Sequence, residues 1–190
     1  MHLMLRQRRQ TARRILIYGF GPYRNFKDNV TEKIVRRLPR RRWLDKMVFP
    51  VRFSRQQFIN AVKKYHPDMV LGLGQCSRGR RLRVEAAAAN KRRNNRADKR
   101  RPIVPNGALR LSTNLKLDLG REARYSNNPG DYVCNYSMYV ILDFLKRRRL
   151  PTRFVFIHVP YGYDPRMAAR QLMKAVGKMR PAISKTSPSC

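Results

Sequence analysis

Residues 15–29 read ILIYGFGPYRNFKDN, and VTEKIVRRL follows at 30–38. The apolar run Ile15–Phe20 has the length and β-branched content of a buried strand. Gly, Pro and Asn then cluster over 19–29, which predicts a loop. Asn29 followed by Glu32 has the spacing of a helix N-cap and its capping-box partner, so a helix is expected over Val30–Leu38, ended by Pro39. This strand–loop–helix order repeats along the chain. KMVFPVRF (Lys46–Phe53) predicts a second strand. Ser54 with Gln57 forms another capping-box pattern, opening a helix through Tyr65 that stops before Pro67. DMVLGLG (Asp68–Gly74) predicts a third strand, and LRVEAAAAN (Leu82–Asn90) a fourth, followed by the basic loop Lys91–Arg101. Residues 102–130 read as loops and short strands. From Asp131, YVCNYSMYVILDFLK shows helical periodicity, RFVFIHVPYG (Arg153–Gly162) is a buried strand, and Asp164 with Pro165 opens a last helix to Met179. Strands that alternate with helices predict an α/β fold: a three-layer sandwich with a mostly parallel, mixed sheet and helices on both faces. Ligand sites in such folds lie beyond the C-terminal ends of strands, which singles out the loops GFGPY, GLGQCSR and HVPYG.

The chain has 190 residues with 44 Lys+Arg against 11 Asp+Glu, a formal charge of +33. That length suits one domain, taken here as 15–180, between a basic N-terminal arm (1–14) and a polar C-terminal tail (181–190). The arm holds five Arg and no acid; it reads as a retained arm rather than a cleaved presequence. No apolar stretch approaches the roughly 20 residues of a membrane span, so an integral membrane protein is excluded. Three Cys do not make a disulfide framework, and the expectation is a reduced, cytoplasmic protein, with an organellar matrix as the alternative suggested by the Arg-rich start. The charge points to a polyanionic partner, unless the excess is simply solvated. Arg92, Arg93, Arg96, Arg100 and Arg101 in the basic loop, and Arg147, Arg148 and Arg149 further on, are the candidate nucleic-acid contacts.

Three side chains could carry chemistry. Cys134 falls at or near a helix start, where unpaired N–H groups and the helix dipole favour a thiolate. His158 ends an apolar strand and could take the thiol proton. Glu85 sits in the apolar run VEAAAA and needs a partner, for which an imidazole N–H is suited. A buried Cys is more often a core residue, a strand His more often a satisfied core group, and Glu85 could equally pair with an Arg. Cys76, in the polar turn, is a rival nucleophile. Cys and His do not cluster at metal-ligand spacing, and GFG lacks the third Gly of a dinucleotide fingerprint, so neither metal nor cofactor is expected.

The chain resembles the pyroglutamyl peptidases, cysteine peptidases that remove an N-terminal pyroglutamate from peptides. GFGPYRNFKDNVTEKIVRRL is similar to the family's strand–loop–helix segment. PDMVLGLGQ, VEAAAAN with Glu85 and Asn90, PIVPNGA…LST, YVCNYSMY and FIHVPY follow in the family's order, over roughly Ile15–Arg180. The resemblance implies that Cys134 is the nucleophile, His158 the general base and acid, and Glu85 the group that orients His158. It also implies that Phe20 and Tyr23 hold the flat lactam, and that Gln75, Tyr132 and Val133 line the pocket. One family Arg near the site falls in the basic loop, at Arg93 or at Arg96. Tyr23 replaces a family Phe and Val30 a family Pro, and the stretches after Asn90 and Thr113 are short. The expected activity is release of pyroglutamate from a peptide by a cysteine omega peptidase. The alternative is the same fold recruited to bind RNA or a ribonucleoprotein. The oligomer is left open.

Overall fold

The computed structural model describes residues 13–23, 26–77 and 79–179. The expectations for residues 1–12 of the arm and for the tail 181–190 lie outside the described residues.

Six strands form one sheet: β1 (Ile15–Phe20), β2 (Leu44–Phe49), β3 (Met69–Cys76), β4 (Leu82–Glu85), β7 (Ala123–Ser126) and β8 (Arg153–Pro160). Their order is β2-β1-β3-β8-β4-β7. β2, β1, β3 and β8 run parallel, and β4 is antiparallel to β8. Two further strands, β5 (Ala87–Ala89) and β6 (Arg110–Ser112), pair antiparallel outside it. Helices α1 (Val30–Arg37), α2 (Arg55–Tyr65), α3 (Val133–Arg147) and α4 (Pro165–Met179) complete the fold.

The central strands are apolar on both sides, so each alternation feeds two cores. Ile15, Ile17, Met69, Leu71, Leu73, Val155 and Ile157 pack with Val30 and Ile34 of α1 and Ala168 and Leu172 of α4. Leu16, Tyr18, Phe20, Val70, Phe154 and Phe156 pack with Phe58 of α2 and Val133, Met138 and Tyr139 of α3. The predicted mixed sandwich with helices on both faces is therefore the observed fold. Glycine makes room on the α3 side of β3. A Cβ on Gly72 would lie 2.5 Å from the rings of Tyr18 and Phe156.

Local expectations differ in places. β2 ends at Phe49 rather than Phe53, because Pro50 has no N–H for a ladder. The run LRVEAAAAN is not one strand. It breaks at Ala86, whose N–H bonds Ser126 and whose carbonyl accepts from Thr113, so β4 stays in the main sheet and β5 leaves to join β6. Neither capping box closes. The Asn29 side chain caps α1 through the N–H of Thr31, while Glu32 accepts from Arg36 instead. Ser54 makes no side-chain cap bond, and Gln57 donates to the Arg52 carbonyl. The α4 start is as expected, with the Asp164 carboxylate accepting from Arg166 N–H. Among the described residues, no helix is long and apolar enough to cross a membrane.

Candidate active site

The C-terminal ends of β1, β3 and β8 and the start of α3 enclose a cavity of about 360 Å³, so the three singled-out loops do converge. Phe20, Tyr23, Gln75, Cys76, Tyr132, Val133, Cys134 and His158 line it, together with Arg93 and Arg96. Every expected substrate-binding residue thus faces one space. Glu85 lies behind His158, fully buried, with its Oε1 2.7 Å from His158 Nδ1. A carboxylate accepts, so Nδ1 is the donor of this contact and Nε2 is the ring nitrogen left free of Glu85.

Strand register explains how three distant segments meet. Glu85 of β4 pairs with Phe156 of β8, Arg83 of β4 with His158, and His158 with Gly74 of β3. Paired residues point to one side of a sheet, so Glu85, Phe156 and His158 share the face that α3 covers. Cys134 is the second residue of α3, and its Sγ occupies the space above Gly74, where a Cβ would be only 2.6 Å from the sulfur. The thiol, lying over β3, and the imidazole, carried by the neighbouring β8, therefore stand on the same side of the sheet. Gly74→Ala would collide with Sγ and the Phe156 ring. We expect it to leave the fold intact but to cost activity about 100-fold, the penalty of a displaced reacting atom, read in kcat with circular dichroism as the fold control.

The helix start is anchored from below and beside. Ser137 Oγ donates to the Cys134 carbonyl and accepts from the buried Tyr18 phenol, whose titration burial pushes far above its ordinary range. Asn135, fully buried, bonds the N–H and carbonyl of Ala89 and the carbonyl of Lys91. Asp131, just before α3, accepts from Arg93 and Arg100 at 2.9 Å. Burial raises the Asp131 carboxyl, but the hydrogen bonds from Arg100 and Arg93 outweigh it and hold the group below its usual value. The basic loop is in this way tied to the nucleophile helix. Asn135 and Asp131 escaped the sequence reading, since their roles depend on contacts across 46 and 31 or more residues.

The thiol itself departs from expectation. Burial, then Cys76, then Glu85, push the Cys134 pKa up to about 12, instead of the helix start lowering it. The reason is position: the sulfur is packed against Gly74 and the Phe156 ring, on the same side as two acidic groups. Cys134 at rest is a neutral thiol. Inactivation by iodoacetamide should accordingly keep rising with pH beyond about pH 9 and show no plateau near pH 6, since the raised pKa keeps the reactive thiolate scarce until alkaline pH. A plateau below neutrality would mean a preformed thiolate.

Gln75 is 7% exposed. Its Oε1 accepts from Val30 N–H at 2.8 Å, which turns Nε2 the other way. Among the described residues that buried Nε2 has no hydrogen-bond partner, and Gln75 lines the cavity. Val30 matters here, because a Pro at the first helical position would have no N–H to give. Aromatic rings frame the entrance: Tyr23 stacks on Phe26 and tilts toward Tyr132, whose edge meets Phe53.

The pyroglutamyl peptidase family model matches residues 13–184. The chain belongs to the pyroglutamyl peptidase family. A pyrrolidone-carboxylate peptidase of Lactobacillus acidophilus is 28% identical, covering 86% of this chain and 94% of that protein. One from Pyrococcus furiosus is 28% identical over 87% of this chain and 86% of its own length. The solved pyrrolidone carboxyl peptidase of Thermococcus litoralis has the same fold, with a TM-score of 0.77 at 23% identity over 87% of this chain and 92% of that one. So has pyroglutamyl peptidase I of Bacillus amyloliquefaciens, with a TM-score of 0.76 at 21% identity over 86% of this chain and 92% of that one.

The arginines expected to meet nucleic acid fall into two groups. Arg92, Arg93, Arg96, Arg100 and Arg101 lie on the loop beside the cavity, whereas Arg147, Arg148 and Arg149 lie at the far end of α3, a 15-residue helix. At 1.5 Å per residue that separates them by roughly 20 Å. Arg147 is already paired with Asp143. A nucleic-acid partner finds no support in either the structure or the relatives.

Proposed function

We propose that this protein is a cysteine omega peptidase that releases N-terminal pyroglutamate from peptides, with Cys134 as nucleophile, His158 as base and acid, and Glu85 orienting His158. The observation that carries the reading is the 2.7 Å contact of Glu85 with His158 Nδ1, which leaves Nε2 as the ring nitrogen free to serve the cavity that holds the thiol.

The lactam lies in the slot of Phe20 and Tyr23, and its ring carbonyl accepts from the unpaired Gln75 Nε2. As Cys134 sulfur attacks the scissile carbonyl carbon, its proton passes to His158 Nε2. The imidazolium that forms is stabilised by Glu85. Tyr132 at the N-cap gives α3 no side-chain bond, so first-turn N–H groups are left to meet the tetrahedral oxyanion. His158 then hands the proton to the leaving amine, and a thioester remains on Cys134. Water, deprotonated by His158, attacks that thioester, and free pyroglutamate and the thiol are regenerated. Because the resting thiol is neutral, the charge on sulfur develops only during the reaction, when Glu85 stabilises the imidazolium.

The test is a pair of chromogenic amides. The pyroglutamyl amide should be cleaved and the prolyl amide, which has the ring without its carbonyl and with a charged nitrogen, should not, by a margin of about 10⁴ or more, because it leaves Gln75 Nε2 unpaired and buries a cation. Equal rates, or none with either substrate, would end the proposal.

A further inference from the structure

The basic loop does more than line the cavity. A second cavity, of about 320 Å³, is bounded by Arg92, Arg93, Asn94, Asp98, Lys99 and Arg101. Arg93 and Asn94 also wall the first cavity, so the two adjoin. Residues 91–101 contain seven Lys and Arg and one acid. Asp98 spends its Oδ2 on the N–H groups of Asn94 and Asn95. Asp131 is shared by Arg93 and Arg100. Among the described residues, Arg92, Arg96, Lys99 and Arg101 have no carboxylate within ion-pair distance. Arg92 packs its guanidinium over the Phe53 ring at 5.3 Å, which holds that cation in place at the cavity.

Arg92, Lys99 and Arg101 around the second cavity, with Arg96 on the wall of the first, form an anion site in the path of the substrate. We propose that it selects the part of the peptide beyond the scissile bond, so that this enzyme prefers pyroglutamyl peptides with acidic side chains in the first two or three residues after the lactam. The inference rests on the peptidase reading and names the substrate class of that site. An extended chain advances about 3.3–3.6 Å per residue, so those side chains fall beside the second cavity when the lactam is in the first. The cations lie around one concave site and the other Arg cluster is at the far end of α3, which favours a short acidic peptide over a long polyanion. Such charges raise encounter rates and affinity at low salt and lose their effect once the Debye length shrinks below the site.

The experiment uses the full chain and three peptides of equal length carrying Glu-Glu, Gln-Gln or Lys-Lys after pyroglutamate. At about 10 mM salt, kcat/KM for the acidic peptide should exceed that for the neutral one by about tenfold, with the basic one lower still, and about 500 mM salt should bring the three together. Lys99→Gln combined with Arg101→Gln, both on exposed side chains, should remove most of the acidic preference and leave the neutral peptide unchanged. A parallel readout is fluorescence anisotropy of the labelled acidic and neutral peptides on Cys134→Ala, which measures affinity without turnover. Turnover of all three peptides at one rate, with equal affinities, would overturn the inference alone. Tighter binding of the acidic peptide without turnover of any would overturn the peptidase reading and keep the anion site. Single-stranded RNA that binds more tightly than the acidic peptide, and that alone responds to the double variant, would also overturn it.

Discussion

Cys134→Ala should lower kcat for a pyroglutamyl amide by about 10⁴-fold or more, because no atom remains to form the thioester. The lactam slot does not depend on the sulfur. Phe20 is held by β1, Gln75 by β3 and the N–H of Val30, and Tyr23 by its backbone bridge to Phe26. Affinity for pyroglutamate should therefore stay within about threefold of wild type, and the melting temperature should move little, since one small half-buried group is lost. A variant that loses binding in proportion to turnover would point to a collapsed pocket. Retained turnover would move the chemistry to another group, with Cys76 on the same cavity wall as the first candidate.

Glu85→Gln is the second large effect. In the proposed mechanism the buried carboxylate holds a proton on Nδ1 and stabilises the imidazolium during attack. Glutamine is neutral and can turn its amide N–H toward Nδ1, which favours the tautomer with the proton on Nε2, where the base must be. We expect kcat to fall by about 10³–10⁴-fold, with KM little changed, as the removal of an orienting acid in a nucleophile–His–acid set does. Stability should go the other way or hold. Glu85 is fully buried, its Oε2 has no hydrogen-bond partner among the described residues, and its ion-pair partner Arg83, with Nε 3.7 Å from Oε1, is too far to hydrogen-bond it. A buried charge with one oxygen unsatisfied costs desolvation energy that a neutral isostere avoids. On the proposed mechanism, the fold keeps that cost because the charge stabilises the imidazolium. A melting temperature at or above wild type with a crippled kcat would show this trade, and a large fall in both would make Glu85 a structural group only.

The fold was legible because its central strands carry uninterrupted apolar runs and its helices carry caps or Pro at their starts. ILIYGF, MVLGLG and RFVFIHVP could only be buried strands, and their alternation with amphipathic helices set the layers. The break at Ala86 was not legible. VEAAAAN has no Gly or Pro, and the strand divides because Ser126 and Thr113, remote in sequence, capture the Ala86 backbone. The short strand β7 falls within the segment read as loops and short strands, but its bounds are not legible there, since ARYS is half-exposed and pairs through β4. In the site, Cys134, His158 and Glu85 were recoverable as types of group, but their placement on one face follows from register that no local pattern carries. The thiol's ionisation was misread. A helix start near Cys134 is visible in sequence, whereas the burial that outweighs it, against Gly74 and Phe156, exists only once the sheet is assembled. The capping boxes failed because Glu32 and Gln57 found closer partners in Arg36 and the Arg52 carbonyl.

The most direct test of the account is to quench turnover of a pyroglutamyl ester with acid and map the covalent adduct by mass spectrometry. The account predicts one pyroglutamyl group in thioester linkage on Cys134, building up further in His158→Ala if deacylation is the step that suffers more. An adduct on Cys76, or substrate cleaved with no adduct on any cysteine, would contradict it.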